Sequence, residues 1–218
     1  MLLKFKKKKF ITINKHPESL INDEYESIKT NLEFTALENH CRTFVITSPN
    51  YGEGKSITTA NLAISLAHDG KKVLIIDTNV RRPSINTIFK IKNNVGLTNI
   101  LIGQKLLEET INHTEVPLVN VVTSGPLPLD TERLFKSQLM DKVLDQAREL
   151  YDYVLVDTPA VLEEGDTKIL SGRCDGVIMV IRDGKTEDEQ ALEAKNMLDI
   201  SNAKLLGVIF NAKAKSVL

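Results

Sequence analysis

The sequence predicts an α/β protein with a mostly parallel β-sheet and helices on both faces. Three observations carry this. Short apolar runs alternate with longer, helix-patterned stretches from Arg42 onward. The stretch TSPNYGEGKSITTANLA, Thr47 to Ala63, places Gly-Lys-Ser between a strand-like run and a helical one. Two further apolar runs, VLIID and YVLVD, each close on an aspartate, Asp77 and Asp157.

Taken in order, Ser19 to Glu33 reads as an amphipathic helix, with Leu20, Ile21, Tyr25, Ile28 and Leu32 at helical spacing. RTFVITS is a strand, and Lys55 to His68 a helix stopped by Asp69-Gly70. KKVLIID has the fully apolar centre of a buried parallel strand. Asn86 to Ile102 holds short irregular pieces, LVNVVTS a strand, and GPLPLD a turn-rich loop. Thr131 to Leu150 reads as one long helix, with Phe135, Leu139, Val143 and Ala147 four apart. YDYVLVD is a strand, and Thr167 to Gly172 a short helix. DGVIMVIR is a strand, Glu187 to Ile200 a helix, and KLLGVIFN the last strand. This β-α-β order implies right-handed crossovers and ligands at the carboxyl ends of the strands.

Residues 1–17 are expected to be a basic flexible arm and 18–218 one domain. Lys4, Lys6, Lys7, Lys8 and Lys9, with Phe5 and Phe10, read either as a solvated terminus or as an arm lying on an anionic membrane. The latter would gain about 1 kcal/mol per basic residue. The net charge of −1 and the lack of a recognition-helix motif argue against nucleic acid as a partner. Cys41 and Cys174 have no metal-ligand spacing, which suggests a reduced, cytoplasmic protein without a zinc site. Apolar runs such as VIMVI, Val177 to Ile181, fall well short of the roughly 20 residues that a membrane span needs. No signal-peptide pattern follows the lysines.

Three strand ends carry the chemistry. In the loop from Pro49 to Ser56, Gly52 and Gly54 let backbone N–H groups turn toward a phosphate, and the following helix adds its positive end. Lys55 would reach the outer phosphates and Ser56 would ligate Mg²⁺, with Glu53 and Ile57 completing the nucleotide-contacting loop. Pro49 stands where the usual motif has its first glycine. Asp77, followed by Asn79, Arg81 and Arg82, would hold Mg²⁺ or act as a base toward a hydroxyl, with Arg81 a further catalytic candidate. Asp157 fits the second metal-holding carboxylate. Asn211, at the end of the last strand, could read an adenine edge or simply end the strand. Tyr51 could stack on a ligand, though a solvent-facing loop residue is the simpler reading.

With these residues in place, the chain resembles the bacterial tyrosine kinases of capsule and exopolysaccharide loci, the CpsD/CapB family, which are similar in fold to the MinD/ParA P-loop ATPases. The segments are ESIKTNLEF, SPNYGEGKS, VLIIDTNVRRPSIN, NNVGLTNILIG, GPLPLDTERL and YDYVLVDTPAVLEEGDTKILSGRCDGVIMVIRDGKT. The family's first Walker motif also contains a proline. The resemblance implies an ATP-dependent protein-tyrosine kinase with Mg-ATP held by Lys55, Ser56, Asp77 and Asp157. It implies a membrane adaptor of the polysaccharide co-polymerase type, whose cytoplasmic tail activates the kinase at the inner face of the membrane. Tyrosine-containing proteins would be the substrates, and a homo-oligomer is compatible.

Three positions depart from the family pattern. Asn79 replaces the second acid of Asp-x-Asp, removing a charge that would position metal or water. Asp23, Glu26 and Lys29 occupy the ring-assembly pattern Glu-x-x-Arg-x-x-Arg with one charge reversed, which leaves ring assembly open. The tyrosines are Tyr25, Tyr51, Tyr151 and Tyr153, so phosphorylation of a C-terminal tyrosine cluster is not expected. Two alternatives remain. One is a nucleotide-switched regulator that transfers no phosphate. The other is a partitioning ATPase, against which Asn50 counts because it stands near that group's signature lysine.

Overall fold

The computed structural model describes residues 20–211. The expected basic arm lies outside the described residues. A seven-stranded sheet runs in the order β3-β4-β2-β5-β1-β6-β7. Its strands are β1 Thr43–Thr47, β2 Val73–Asp77, β3 Ile111–His113, β4 Val119–Val122, β5 Tyr153–Asp157, β6 Gly176–Arg182 and β7 Leu205–Asn211. All neighbours are parallel except β3, which lies antiparallel on β4. The helices are α1 Leu20–Asn39, α2 Lys55–His68, α3 Ile85–Ile88, α4 Leu97–Leu101, α5 Thr131–Phe135, α6 Gln138–Leu150, α7 Asp166–Ser171 and α8 Asp188–Ile200.

The strand period of two sorts side chains to two cores. Phe44, Ile46, Ile75 and Leu155 face α1 and α2, meeting Leu32, Leu62 and Leu66. Val45, Leu74, Ile76, Val154 and Val156 face the other layer, against Met140, Val143 and Leu144 of α6 and Leu198 of α8. Every residue of β1, β2 and β5 is buried, which explains why these strands read as continuous apolar runs. Among the described residues, no helix is long and apolar enough to cross a membrane.

Three elements differ from expectation. Helix α1 continues past Glu33 to Asn39. Phe34 and Leu37 are exposed there, so the apolar stripe fades from the sequence, yet buried Ala36 keeps the helix on the core. The long helix from Thr131 divides at Lys136-Ser137, where Ser137 is extended (φ −73°, ψ 155°) and starts α6. Arg173 bonds to the carbonyls at the break: Nη2 donates to Lys136 O (2.8 Å), and Nη1 (3.2 Å) joins Met140 N (3.1 Å) on Ser137 O. Strand β3, three residues long and only half-buried, carries too weak a pattern to stand out.

Helix α1 is tied to α2 by charge. Lys29, 3% exposed, pairs with Glu26 one turn before it and with Asp69 at the end of α2, each at 2.5 Å. Ser65 Oγ donates to Glu26 Oε1 (3.0 Å). The reversed charge at Glu26 and the lysine after it are therefore held within one chain.

Candidate nucleotide and phosphotransfer site

The loop between β1 and α2 turns at Gly52 (φ 80°) and Gly54 (φ 98°), conformations that side-chain-bearing residues resist. Position 49 needs no such conformation, so Pro49 costs nothing there. Its carbonyl accepts from Leu162 N (3.3 Å). Lys55, only 5% exposed, opens α2, where the helix N-terminus and the loop's N–H groups favour an anion. A cleft of 260 Å³ over the loop is lined by Tyr51, Gly52, Gly54, Lys55, Ser56, Ile57, Asn79, Arg82, Pro83, Ser84 and Ile88.

The loop is braced from behind. Glu53 is fully buried; its carboxylate accepts from Thr186 Oγ1 (2.7 Å) and from Asn50 N (3.3 Å). Asn211 Nδ2 donates to Glu53 O (2.7 Å). A Cβ at Gly54 would meet that Nδ2 at 2.0 Å, so only glycine permits this contact. Glu53 and Asn211 thus shape the loop from its far side.

At the carboxyl ends of the strands, Asp77 and Asp157 are register partners on β2 and β5, and both are fully buried. Asp157 Oδ2 accepts from Ser56 Oγ (2.7 Å) and Oδ1 from Thr59 Oγ1 (3.1 Å). Asp77 accepts only backbone N–H groups, from Asn79 (3.0 Å), Ser84 (3.3 Å) and Ile85 (3.2 Å). Burial pushes both carboxyls above the ordinary range. The charge of Asp157 raises Asp77 further, while Lys55 and the two hydroxyls partly restrain Asp157.

The structure thus gathers Lys55, Ser56, Asp77 and Asp157, with Gly52, Gly54 and Ile57 in the cleft wall. Arg81 lies apart from this cleft: its side chain is about half exposed and Nε pairs with Glu164 (3.3 Å). Arg82 is the arginine in the cleft, its guanidinium 4.8 Å from the Tyr51 ring centre. Asn79 is 5% exposed, and its Oδ1 caps the turn by accepting from Arg82 N (3.0 Å).

A family model described as an AAA domain matches residues 41–190. The tyrosine-protein kinase YwqD of Bacillus subtilis is 42% identical over 200 residues, covering 92% of this chain and 84% of that one. The chain belongs to the bacterial tyrosine-protein kinase family. Among solved structures, the chimerical protein CapA2B2 matches this kinase with a TM-score of 0.90 and 31% identity, over 97% of this chain and 93% of that chain. The septum site-determining protein MinD of Pyrococcus horikoshii, complexed with Mg-ADP, has a TM-score of 0.68 at 22% identity, over 80% of this chain and 72% of that chain. That last likeness is one of fold alone, the P-loop nucleotide-binding fold.

Sequence reasoning missed several groups that surround the candidate site. Thr59 lies one helical turn after Lys55, a spacing that would have placed it beside Asp157. Thr186 and Lys185 come from the loop after β6, and Lys185 Nζ donates to Tyr51 O (2.5 Å). Only the strand order, which sets β6 beside β1, brings that loop to the phosphate loop.

Proposed function

We propose that this kinase binds Mg-ATP at the Lys55–Ser56 loop and transfers the γ-phosphoryl group to tyrosine hydroxyls of proteins that control polysaccharide synthesis. The observation that carries the reading is the buried Asp77–Asp157 pair set beside Lys55 and Ser56. The family adds an adaptor's cytoplasmic tail as activator and the inner face of the cell membrane as location.

The donor set fits Mg²⁺. Two neighbouring buried carboxylates, with Lys55 acting on Asp157 alone, would carry uncompensated negative charge once ionised, and a divalent cation would relieve it. Mg²⁺ typically takes one or two carboxylates and completes its shell with phosphate oxygens and water. Ser56, Asp157 and Asp77 would hold it, and it would neutralise charge on the transferred group.

The chain's own residues do the rest. The loop N–H groups and Lys55 hold the phosphates, and the burial of Lys55 strengthens its field there. Asp77, at the end of β2 beside Asp157, would be the carboxylate to take the proton from a tyrosine hydroxyl, whose ordinary pKa is about 10. Asn79 shapes the loop through Arg82 and contributes no charge.

The test is phosphotyrosine mass spectrometry after incubation with Mg-ATP, the adaptor tail and candidate acceptors, with Lys55→Ala as control. Lysine-dependent phosphotyrosine supports the reading. ATP binding without phosphotyrosine would replace it with the nucleotide-switched regulator.

A further inference from the structure

The chain contains four tyrosines. Three are buried within the fold. The Tyr25 hydroxyl accepts from Asn61 Nδ2 (3.4 Å), the Tyr151 hydroxyl from Asn120 Nδ2 (2.9 Å), and Tyr153 stacks on Phe44 with ring centres 6.0 Å apart. Tyr51 alone is exposed, at 54%. It sits inside the phosphate loop, four residues before Lys55.

Its surroundings are cationic. The Arg82 guanidinium lies 4.8 Å and the Lys55 ammonium 5.8 Å from its ring centre. Lys185 holds its carbonyl, and Arg182 Nη1 donates to the carbonyl of the next residue, Gly52 (3.3 Å). Glu163 is the nearby acid, accepting from Tyr51 N (2.8 Å) and lying 3.8 Å from Arg82.

We propose that Tyr51 is an acceptor for this chain's own kinase activity, phosphorylated by a second copy, and that its phosphate weakens ATP binding. This rests on the kinase reading above. Transfer is between copies because Tyr51 belongs to the loop that holds the donor, with both its N–H and its carbonyl pinned. The Tyr51 oxygen of one copy bonds to the γ-phosphorus of ATP in the other. The bond from that phosphorus to the bridging oxygen breaks, and ADP leaves with the electron pair. The hydroxyl proton passes to the Asp77 carboxylate of the copy holding the ATP, and then to water. The phosphotyrosine carries about −1.5 to −2 charge at pH 7. It would draw on Lys55 and Arg82, the cations that line the cleft for the ATP phosphates. The reaction would therefore limit itself.

The experiment incubates the full chain with Mg-ATP, the adaptor's cytoplasmic tail and a Glu/Tyr copolymer as a generic acceptor, then maps phosphosites. A tagged Lys55→Ala chain, or Lys55→Met if the first does not fold, serves as acceptor for the wild-type chain. The expected result is phosphate at Tyr51 on both chains and none on Tyr51→Phe. Affinity for a fluorescent ATP analogue should fall about tenfold after phosphorylation, equivalent to about 1.4 kcal/mol. Copolymer phosphorylation without phosphate at Tyr51, or phosphate only at the buried tyrosines, overturns this proposal and leaves the kinase reading intact. Phosphate at Tyr51 with unchanged nucleotide affinity overturns its regulatory half. Transfer to neither acceptor overturns the kinase reading and this proposal together.

Discussion

Asp77 and Asp157 stand side by side, register partners at the ends of adjacent parallel strands, with no solvent on either. This pairing sets the energetics of the nucleotide-free protein. Both carboxyls hold their protons more tightly when folded than when unfolded. Below the ordinary carboxylate value, about pH 4, both are protonated in either state and the pair costs nothing. As pH rises, the unfolded chain ionises first, so the fold loses stability until the raised folded values are passed.

Asp157→Asn should flatten that loss. Its amide can still pair with Ser56 and Thr59, because hydroxyls both donate and accept. Without nucleotide, the variant should melt higher at pH 7, at about 2–4 °C per kcal/mol regained for a domain of this size. It should also lose Mg²⁺-dependent phosphotransfer. Thermal melts of both proteins from pH 4 to 8 check this; parallel curves would sink the argument.

Glu53→Ala should weaken nucleotide binding although its carboxylate faces away from the cleft. Removing it takes away the acceptor of Asn50 N and one partner of Thr186 Oγ1, which still accepts from Arg182 N, at about 1 kcal/mol for each hydrogen bond lost. Asn211→Ala should act in the same direction and more weakly, since one hydrogen bond to Glu53 O is lost. Urea denaturation and nucleotide titration of the two variants give the order.

Arg173→Ala offers a contrast. It should cost about 1–3 kcal/mol by removing the hydrogen bonds to Lys136 O and to Ser137 O, which Met140 N also reaches, and by breaking the pair with Asp141. The KM for ATP should stay unchanged, because the break between α5 and α6 lies away from the phosphate loop. A shift in that KM would show that the two regions are coupled.

Asn79→Asp should keep the loop, because a carboxylate also accepts from Arg82 N. It adds a charge near Asp77, whose carboxylate already accepts from the backbone N–H of position 79. The nucleotide-free protein should therefore be less stable at neutral pH and half-saturate its activity at lower Mg²⁺. Mg²⁺ titrations of activity measure this; an unchanged midpoint would mean that position 79 does not face the metal.

Much of this was legible in the sequence for a physical reason. Residues that end buried strands or open a helix after a glycine turn are positioned by local rules, so Lys55, Ser56, Asp77 and Asp157 could be read directly. What stayed hidden depends on which strands become neighbours. Nothing near Asn211 or Thr186 marks them as partners of Glu53; the pairing of β6 with β1 and β7 makes them so. Arg81 and Arg82 are adjacent in sequence and diverge only because Glu164 draws one and Tyr51 the other. The break at Ser137 was hidden because the apolar spacing of four runs straight through it.

The brace on the phosphate loop also has a bearing on synthesis. Asn211 closes the loop from 158 positions further along the chain. A nascent polypeptide emerges N-terminal end first. The glycine turns and Lys55 are made early, but they lack their backing until β7 has left the ribosome and docked on β6. Unfinished chains should therefore bind ATP more weakly than the complete fold, which gains the brace only once β7 is in place.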